Sequence, residues 1–433
     1  MNQHYKVRCL ETDRLYADDG LLLAGPDSTK PAFIRAEYDS RQLAVRPDSP
    51  GIFRFSDWLP VHRSLPARGW PVTWRSDRLG KHLGLERLYL TFSGYWPEKG
   101  AAMTTGTFKE CEAYAVCARY PENCGKVLVV ASAGNTARAF LKVASENRIP
   151  LVAVVPQMCL GELWQERPLQ PWVRIVVSGG DSDYFDAISL ADRICQVDGY
   201  QAEGGAKNIA RRDGMGTTVL SAATTIGTIP DCYYQAIGSG TGAIAAWEAN
   251  LRLINDGRFG NRLMSLRLSQ NMPFVPIYTA WQKKSRDIAP IPTDEARDLS
   301  RQIRARVLAN RKPPYGPIGG LYDALQATGG HVMAISNEAL TAAQALFAEL
   351  EGCDICPEAG VALASLIQEV ENGQTDPGAL IMLNITGGGI ANIQRDLQPQ
   401  AVTADLVVEP DTAPAQDIEQ MFTDLRTDIL RSL

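Results

Sequence analysis

The strongest constraint on this chain is the run 126–131, whose VLVVA core has no polar alternation and stops at Ser132-Ala133-Gly134-Asn135-Thr136. A strand that is apolar on both sides is covered on both faces, which is the habit of a parallel sheet. The same unit recurs. Strands are predicted over 88–90, 151–155, 173–177, 232–237, 263–268 and 379–385, with helices over 135–147, 182–195, 243–254, 337–350 and 359–370 among them. That alternation is α/β winding. With 433 residues and 45% hydrophobic content the chain outgrows one simple layered core, so two lobes with a cleft between them are expected. Residues 1–50 mix short apolar pieces with turns and read as a small β-rich extension. The aromatic- and proline-rich 52–74 reads as an irregular covering, and the acidic stretch after Pro399 as peripheral.

Charge and composition then exclude several functions. The 43 basic and 49 acidic residues leave a net charge of -6, which argues against a general affinity for nucleic acid or anionic membrane. No run approaches about eighteen consecutive apolar residues and the start has no apolar signal core, so a cytoplasmic protein is expected. Nine irregularly spaced cysteines make no disulfide framework and suit a reducing compartment. The pair Cys353-Asp354-Ile355-Cys356 lacks the second ligand pair that zinc needs, so no metal is expected. The four histidines, His4, His62, His82 and His331, stand in no triad or ligand spacing, which argues against a histidine-based hydrolase.

Four short stretches carry chemistry, three of them glycine turns at strand ends, where α/β folds bind ligands. Ser132-Ala133-Gly134-Asn135-Thr136 can hold a carboxylate on its N–H groups and hydroxyls at a helix start, or can simply cap that helix. Gly238-Ser239-Gly240-Thr241-Gly242 can close its backbone around a phosphate. It has neither the lysine and spacing of a nucleotide loop nor the downstream acid of a dinucleotide site, so a smaller phosphate ligand fits better. Asn384-Ile385-Thr386-Gly387-Gly388-Gly389 ends the last strand of the winding with a hydroxyl. Finally, Lys109 follows Thr104-Thr105-Gly106-Thr107-Phe108, although a lone lysine is most often a solvated charge.

In this order the four stretches resemble the fold-type II pyridoxal phosphate enzymes, the group of threonine synthase and cysteine synthase. Three longer stretches look like the cysteate synthases of that group: Phe92 to Gly100 (FSGYWPEKG), Glu203 to Gly216 (EGGAKNIARRDGMG) and Ser269 to Pro276 (SQNMPFVP). The resemblance runs from the Arg8-Cys9 region to about Asp396. It implies a tryptophan synthase β-like fold of two open-sheet α/β lobes with the cofactor in the cleft. Residues 1–50 would form the extension, 51–105 plus 226–433 the large cofactor-binding lobe, and 106–225 the smaller mobile lobe.

The resemblance also implies roles. Pyridoxal 5'-phosphate would be carried covalently by Lys109, with Asn135 at its 3-oxygen, its phosphate on Gly238, Ser239, Gly240, Thr241 and Gly242, and its ring nitrogen at Thr386. A hydroxyl cannot keep that nitrogen protonated as a carboxylate would, which favours loss of a β-substituent over transamination or racemisation. The implied reaction is β-replacement on O-phospho-L-serine: phosphate leaves, and sulfite adds to the resulting aminoacrylate to give L-cysteate, in the setting of coenzyme M biosynthesis. Ser132, Ala133, Gly134 and Thr136 would bind substrate. Lys207, Asn208 and Arg211, which match the Asn-x-x-Arg segment of threonine synthases, would meet the anions, with Lys99, Arg138 and Arg212 as weaker candidates. The partners expected are these small anions and further copies of the chain in a homo-oligomer, with no nucleic acid and no membrane. Two departures stand out: a single Cys9 where relatives can carry a paired-cysteine knuckle, and Thr104-Thr105-Gly106 beside the amine. The alternatives are a threonine synthase acting on O-phosphohomoserine, replacement by another nucleophile, and a cofactor-binding sensor without turnover.

Overall fold

The structure is a computed structural model that describes residues 4–409 and 415–433. Two open sheets organise it. The larger has six strands in the order His331–Ile335, Ser265–Asn271, Cys232–Ala236, Leu380–Ile385, Arg87–Phe92 and Val72–Arg75, all parallel except the last, which is an antiparallel edge. The smaller has five parallel strands in the order Tyr200–Ala202, Val127–Ala131, Leu151–Pro156, Val173–Ser178 and Leu406–Val408. The unbroken apolar runs occupy inner positions in both sheets, as double-faced burial requires, and Leu151 to Val155 are fully buried.

Helices cover the faces. Asn135–Glu146 and Tyr184–Ile194 pack on the smaller sheet, and Pro357–Glu371 packs across the larger. Local sequence sets their starts: Asp183 and Asp186 form a reciprocal capping box for Tyr184–Ile194, and Pro357 occupies the first turn of its helix, where a missing N–H costs nothing. The N-terminal extension is a three-stranded antiparallel sheet, Leu15–Tyr16, Tyr5–Cys9 and Ile34–Tyr38 in spatial order.

Several elements differ from the sequence expectation. The segment 52–74 is not wholly irregular, since Gly51–Trp58 is a 3-10 helix and Val72–Arg75 an edge strand that starts beside Pro71, where a missing donor is tolerated. The stretch after Pro399, expected to be peripheral and counted with the large lobe, instead joins the smaller sheet and its core over its described residues. Leu406–Val408 completes the smaller sheet, and the Ala415–Arg431 helix presses Ile418, Phe422 and Ile429 into the same core. Tyr200 fixes that helix by donating to the Phe422 carbonyl at 2.8 Å.

A strap crosses between the sheets. Its helix Thr293–Gln302 and the following turn carry Arg297, Arg301 and Arg311, which pair with Asp186 at 2.7 Å, Asp181 at 2.7 Å and Asp183 at 2.8 Å at the start of Tyr184–Ile194. Phe185 lies under both Arg311 (4.7 Å) and Lys312 (4.4 Å).

Candidate active site

The cleft lies where the C-terminal ends of the strands of both sheets converge, the position at which open α/β folds bind ligands. Three strand ends supply its walls: Ser132 to Thr136 after Val127–Ala131, Gly238 to Gly242 after Cys232–Ala236, and Thr386 after Leu380–Ile385. Lys109 and Arg211 complete a cleft of about 780 Å³ of atom-free space, mouth included, and the strap closes one side with Val307, Leu308 and Asn310.

Lys109 is placed by backbone contacts. The Phe108 N–H donates to the Thr386 carbonyl at 2.9 Å, and the Gly388 N–H donates to the Gly106 carbonyl at 3.0 Å, so the lysine turn and the Thr386 turn are stitched together. Gly389 makes this packing possible: its φ of +73° is left-handed, and a Cβ there would collide with the Tyr95 carbonyl oxygen. The turn Cys353 to Cys356 supports the same loop. The Asp354 carboxylate accepts from the N–H groups of Ile390 and Ala391 at 2.9 and 3.1 Å, and the Cys356 N–H donates to the Gly387 carbonyl at 3.0 Å. Both cysteines are buried free thiols, and among the described residues no cluster of three metal-ligating side chains occurs.

From this turn Lys109 opens the Lys109–Arg119 helix with its Nζ in the cleft, one fifth exposed, 3.3 Å from Glu112 Oε2 and 4.9 Å from the centre of the Phe108 ring. Across the cleft, Gly240 adopts φ +76° and precedes the sixteen-residue helix Thr241–Asp256. No carboxylate caps this helix. Ser239 Oγ accepts from the Thr241 N–H at only 3.4 Å and lies 2.7 Å from Thr241 Oγ1, so the positive helix end faces the cleft with its donors available for an anion.

Asn135 is held on both sides. Its Oδ1 accepts from Arg138 Nη2 at 2.8 Å and its Nδ2 donates to Glu358 Oε1 at 2.7 Å, which leaves one Nδ2 hydrogen for a ligand. Glu358 sits on the first turn of Pro357–Glu371, and burial raises its pKa above the ordinary carboxylate value. Burial likewise lowers the pKa of Arg138, whose guanidinium donates to the Thr105 carbonyl and stacks on Trp164 at 4.4 Å. Beneath Thr386, Asn384 Nδ2 donates to the Tyr233 hydroxyl at 2.8 Å, and Tyr233 in turn donates to Gln235.

The remaining expected residues divide. Arg211 lines the cleft, but its Nε and Nη2 hold both Glu203 oxygens at 2.8 and 2.5 Å, and its Nη1 is 3.4 Å from Glu112 Oε1. Burial opposes its charge while these two carboxylates favour it, and the net effect is a pKa above the ordinary arginine value. Lys207 and Asn208 lie outside the lining, with Lys207 exposed and Asn208 buried. Asn208 Oδ1 accepts from the Ala210 N–H and from Arg119 Nη1, each at 3.0 Å, and its Nδ2 donates to the Glu203 carbonyl at 2.8 Å. Arg212 is buried against Glu248 at 2.9 Å, and Lys99 lies over Trp74 and Trp96 at the surface.

Sequence reasoning passed over Glu112, Glu358, Tyr184 and the strap residues. Helical spacing could have found Glu112, three positions after Lys109 on the same helix face. Nothing local marks the others.

These groups fit one kind of ligand. An amine able to bond an aldehyde carbon, an uncapped helix end for a phosphate, an oriented amide and a neutral hydroxyl match the substituents of a pyridoxal ring.

Comparison with known proteins agrees. The family described as pyridoxal-phosphate dependent enzyme matches residues 66–387. Cysteate synthase of Methanosphaerula palustris is 50% identical over 398 residues, covering 92% of each chain. That of Methanosarcina barkeri is 47% identical over 91% of this chain and 94% of its own, and that of Methanocorpusculum labreanum 47% over 95% and 99%. Among solved structures, maize serine racemase superposes with TM-score 0.55 at 14% identity over 76% of this chain and 91% of its own, a likeness of fold alone. A pyridoxal 5'-phosphate-dependent aspartate racemase does so with TM-score 0.53 at 16% identity, over 73% and 90%. The chain belongs to the cysteate synthase family of pyridoxal-phosphate-dependent enzymes.

Proposed function

We propose that the chain replaces the phosphate of O-phospho-L-serine with sulfite, giving L-cysteate and phosphate, on pyridoxal 5'-phosphate carried by Lys109. The bound cofactor supplies a conjugated electron sink that acidifies the Cα–H bond and lets the β-phosphate leave.

The chain's own groups do the rest. Lys109 Nζ takes the Cα proton and later returns it, so one base serves both transfers. The N–H groups of Gly238 to Gly242 hold the cofactor's phosphate at the start of Thr241–Asp256, and the free Nδ2 hydrogen of Asn135 meets the 3-oxygen. Thr386, 2% exposed, offers the ring nitrogen a hydroxyl rather than a carboxylate, which disfavours a protonated ring and so favours loss of a β-substituent. Ser132, Ala133, Gly134 and Thr136 bind the substrate carboxylate at the start of Asn135–Glu146. Arg211 contributes a positive end to the anion pocket, attenuated by Glu203 and Glu112. Lys207 and Asn208 act only from outside the lining. The protein works in the cytoplasm as a homo-oligomer. No helix of the described residues is long and apolar enough to cross a membrane.

The observation that carries this reading is one cleft that joins Lys109, the uncapped glycine turn and Thr386 in a chain 50% identical to a cysteate synthase. The test is mass-spectrometric identification of the product from phosphoserine with sulfite, run beside phosphohomoserine with water. Cysteate from the first and no threonine from the second is the expected result. Threonine without cysteate refutes the reading.

A further inference from the structure

Glu112 is fully buried behind three residues that line the cleft, Lys109, Thr136 and Arg211. It touches a residue from each of three functional elements. Its Oε2 lies 3.3 Å from Lys109 Nζ, and its Oε1 accepts from Thr136 Oγ1 at 2.9 Å and stands 3.4 Å from Arg211 Nη1. A buried carboxylate is costly unless a cation matches it. Arg211 serves it only in part, because Glu203 holds one edge of its guanidinium through Nε and Nη2 and only Nη1 faces Glu112, at 3.4 Å. The other cation in contact with Glu112 is the lysine amine, at 3.3 Å.

That amine is free only part of the time. On the reading above, Lys109 is bonded to the cofactor before substrate arrives and is released when the substrate's amino group takes its place, so one amine is unattached in either state. The first is the substrate's, which arrives as an ammonium and gives up a proton before it bonds. The second is that of Lys109, neutral until it takes the Cα proton and cationic while it holds it. Glu112 is the carboxylate in contact with the place where both amines must pass. We infer that Glu112 is a positioning residue, the counter-ion that receives the incoming substrate ammonium and then holds the displaced Lys109 amine within reach of Cα. This rests on the assignment of Lys109 as the cofactor's anchor. Other charged or titratable groups act on the same space: Glu358 from Pro357–Glu371, which interacts electrostatically with Lys109, and Arg211, Glu203 and Tyr184 on the side of the smaller sheet. Of the carboxylates among them, Glu112 is the one in contact with Nζ.

Glu112→Gln keeps the shape and the acceptor for Thr136 but removes the charge. In the holoenzyme it should retain cofactor, read as absorbance per mole of protein, while the spectral change on mixing with phosphoserine slows by about tenfold or more, as loss of a close opposite charge implies. In protein stripped of cofactor, labelling of Lys109 by an amine-reactive reagent, followed by peptide mass, should speed up by about the same factor, because the amine is no longer held as an ion pair. A purely structural Glu112 would alter neither rate. Glu112→Asp should fall between wild type and Glu112→Gln, and it carries the test alone if the glutamine variant does not fold: wild-type labelling and exchange rates in it overturn the inference. Borohydride reduction of the wild-type holoenzyme separates the two layers. No mass adduct on the Lys109 peptide removes the anchor assignment itself, whereas an adduct together with wild-type behaviour of Glu112→Gln removes only the role of Glu112.

Discussion

Asn208→Ala decides between two uses of one side chain. As a substrate ligand, Asn208 would govern KM and little else. The structure instead commits its amide to three bonds: the Ala210 N–H that starts the Ile209–Ile226 helix, Arg119 Nη1 and the Glu203 carbonyl. Arg119 is 1% exposed and held on its other edge by Asp18 at 2.8 and 2.6 Å. Removing the cap costs about 1 kcal/mol, and stripping a charged donor of its acceptor adds about 1.5–3 kcal/mol. A total of about 3 kcal/mol, set against an unfolding entropy of about 2.1 cal/mol/K per residue over the chain, lowers Tm by about 3 °C. Thermal scans of the holoenzyme at neutral pH, with steady-state kinetics on the same preparations, measure both quantities. The expected outcome is a lower Tm with KM for phosphoserine within twofold of wild type. An unchanged Tm with a tenfold higher KM would refute the reasoning.

Three other outcomes follow from geometry described above. Burial raises the pKa of Glu358, so the folded state keeps its proton longer than the unfolded chain; stability therefore declines as pH rises from the ordinary value of 4.5 through the raised one, and Glu358→Gln should flatten the fall in Tm across that window in a pH series. Gly389→Ala places a Cβ against the Tyr95 carbonyl at a left-handed φ and should lower Tm by several degrees or abolish soluble protein; a shift under about 1 °C would contradict the packing. The partly exposed pairs between the strap and Asp181, Asp183 and Asp186 are screened by salt, so hydrogen exchange in 293–312 should quicken between low and about 0.5 M salt, and Arg311→Ala should reproduce that change without added salt.

The fold was legible where burial wrote a simple pattern. Val127–Ala131, Leu151–Pro156 and Leu380–Ile385 are apolar without interruption because neither face meets water, and each was found to within a residue or so. Short strands escaped: Val72–Arg75 and Tyr200–Ala202 are sheet edges with mixed residues, and His331–Ile335, also an edge, begins with a polar residue bonded to Glu369. In the site, the glycine turns carried their own signal because backbone close approach excludes side chains. Glu358 and the strap residues did not, because they reach the cleft through tertiary packing alone. Lys207 and Asn208 share with Arg211 the segment that resembles the Asn-x-x-Arg of threonine synthases, yet one turn of helix separates Arg211, which lines the cleft, from Asn208, which caps the helix behind it.

The smaller sheet is made from two distant parts of the chain, with Ile175 bonded to Asp405 across 230 residues. During synthesis the outer edge of Val173–Ser178 therefore waits, unpaired and strongly apolar, until Leu406–Val408 has left the ribosome. For most of translation the cell must shield a strand edge of the kind that recruits other chains into aggregates. Expression that stalls before residue 405 should accordingly yield insoluble protein, even though every residue of the cleft has already been made.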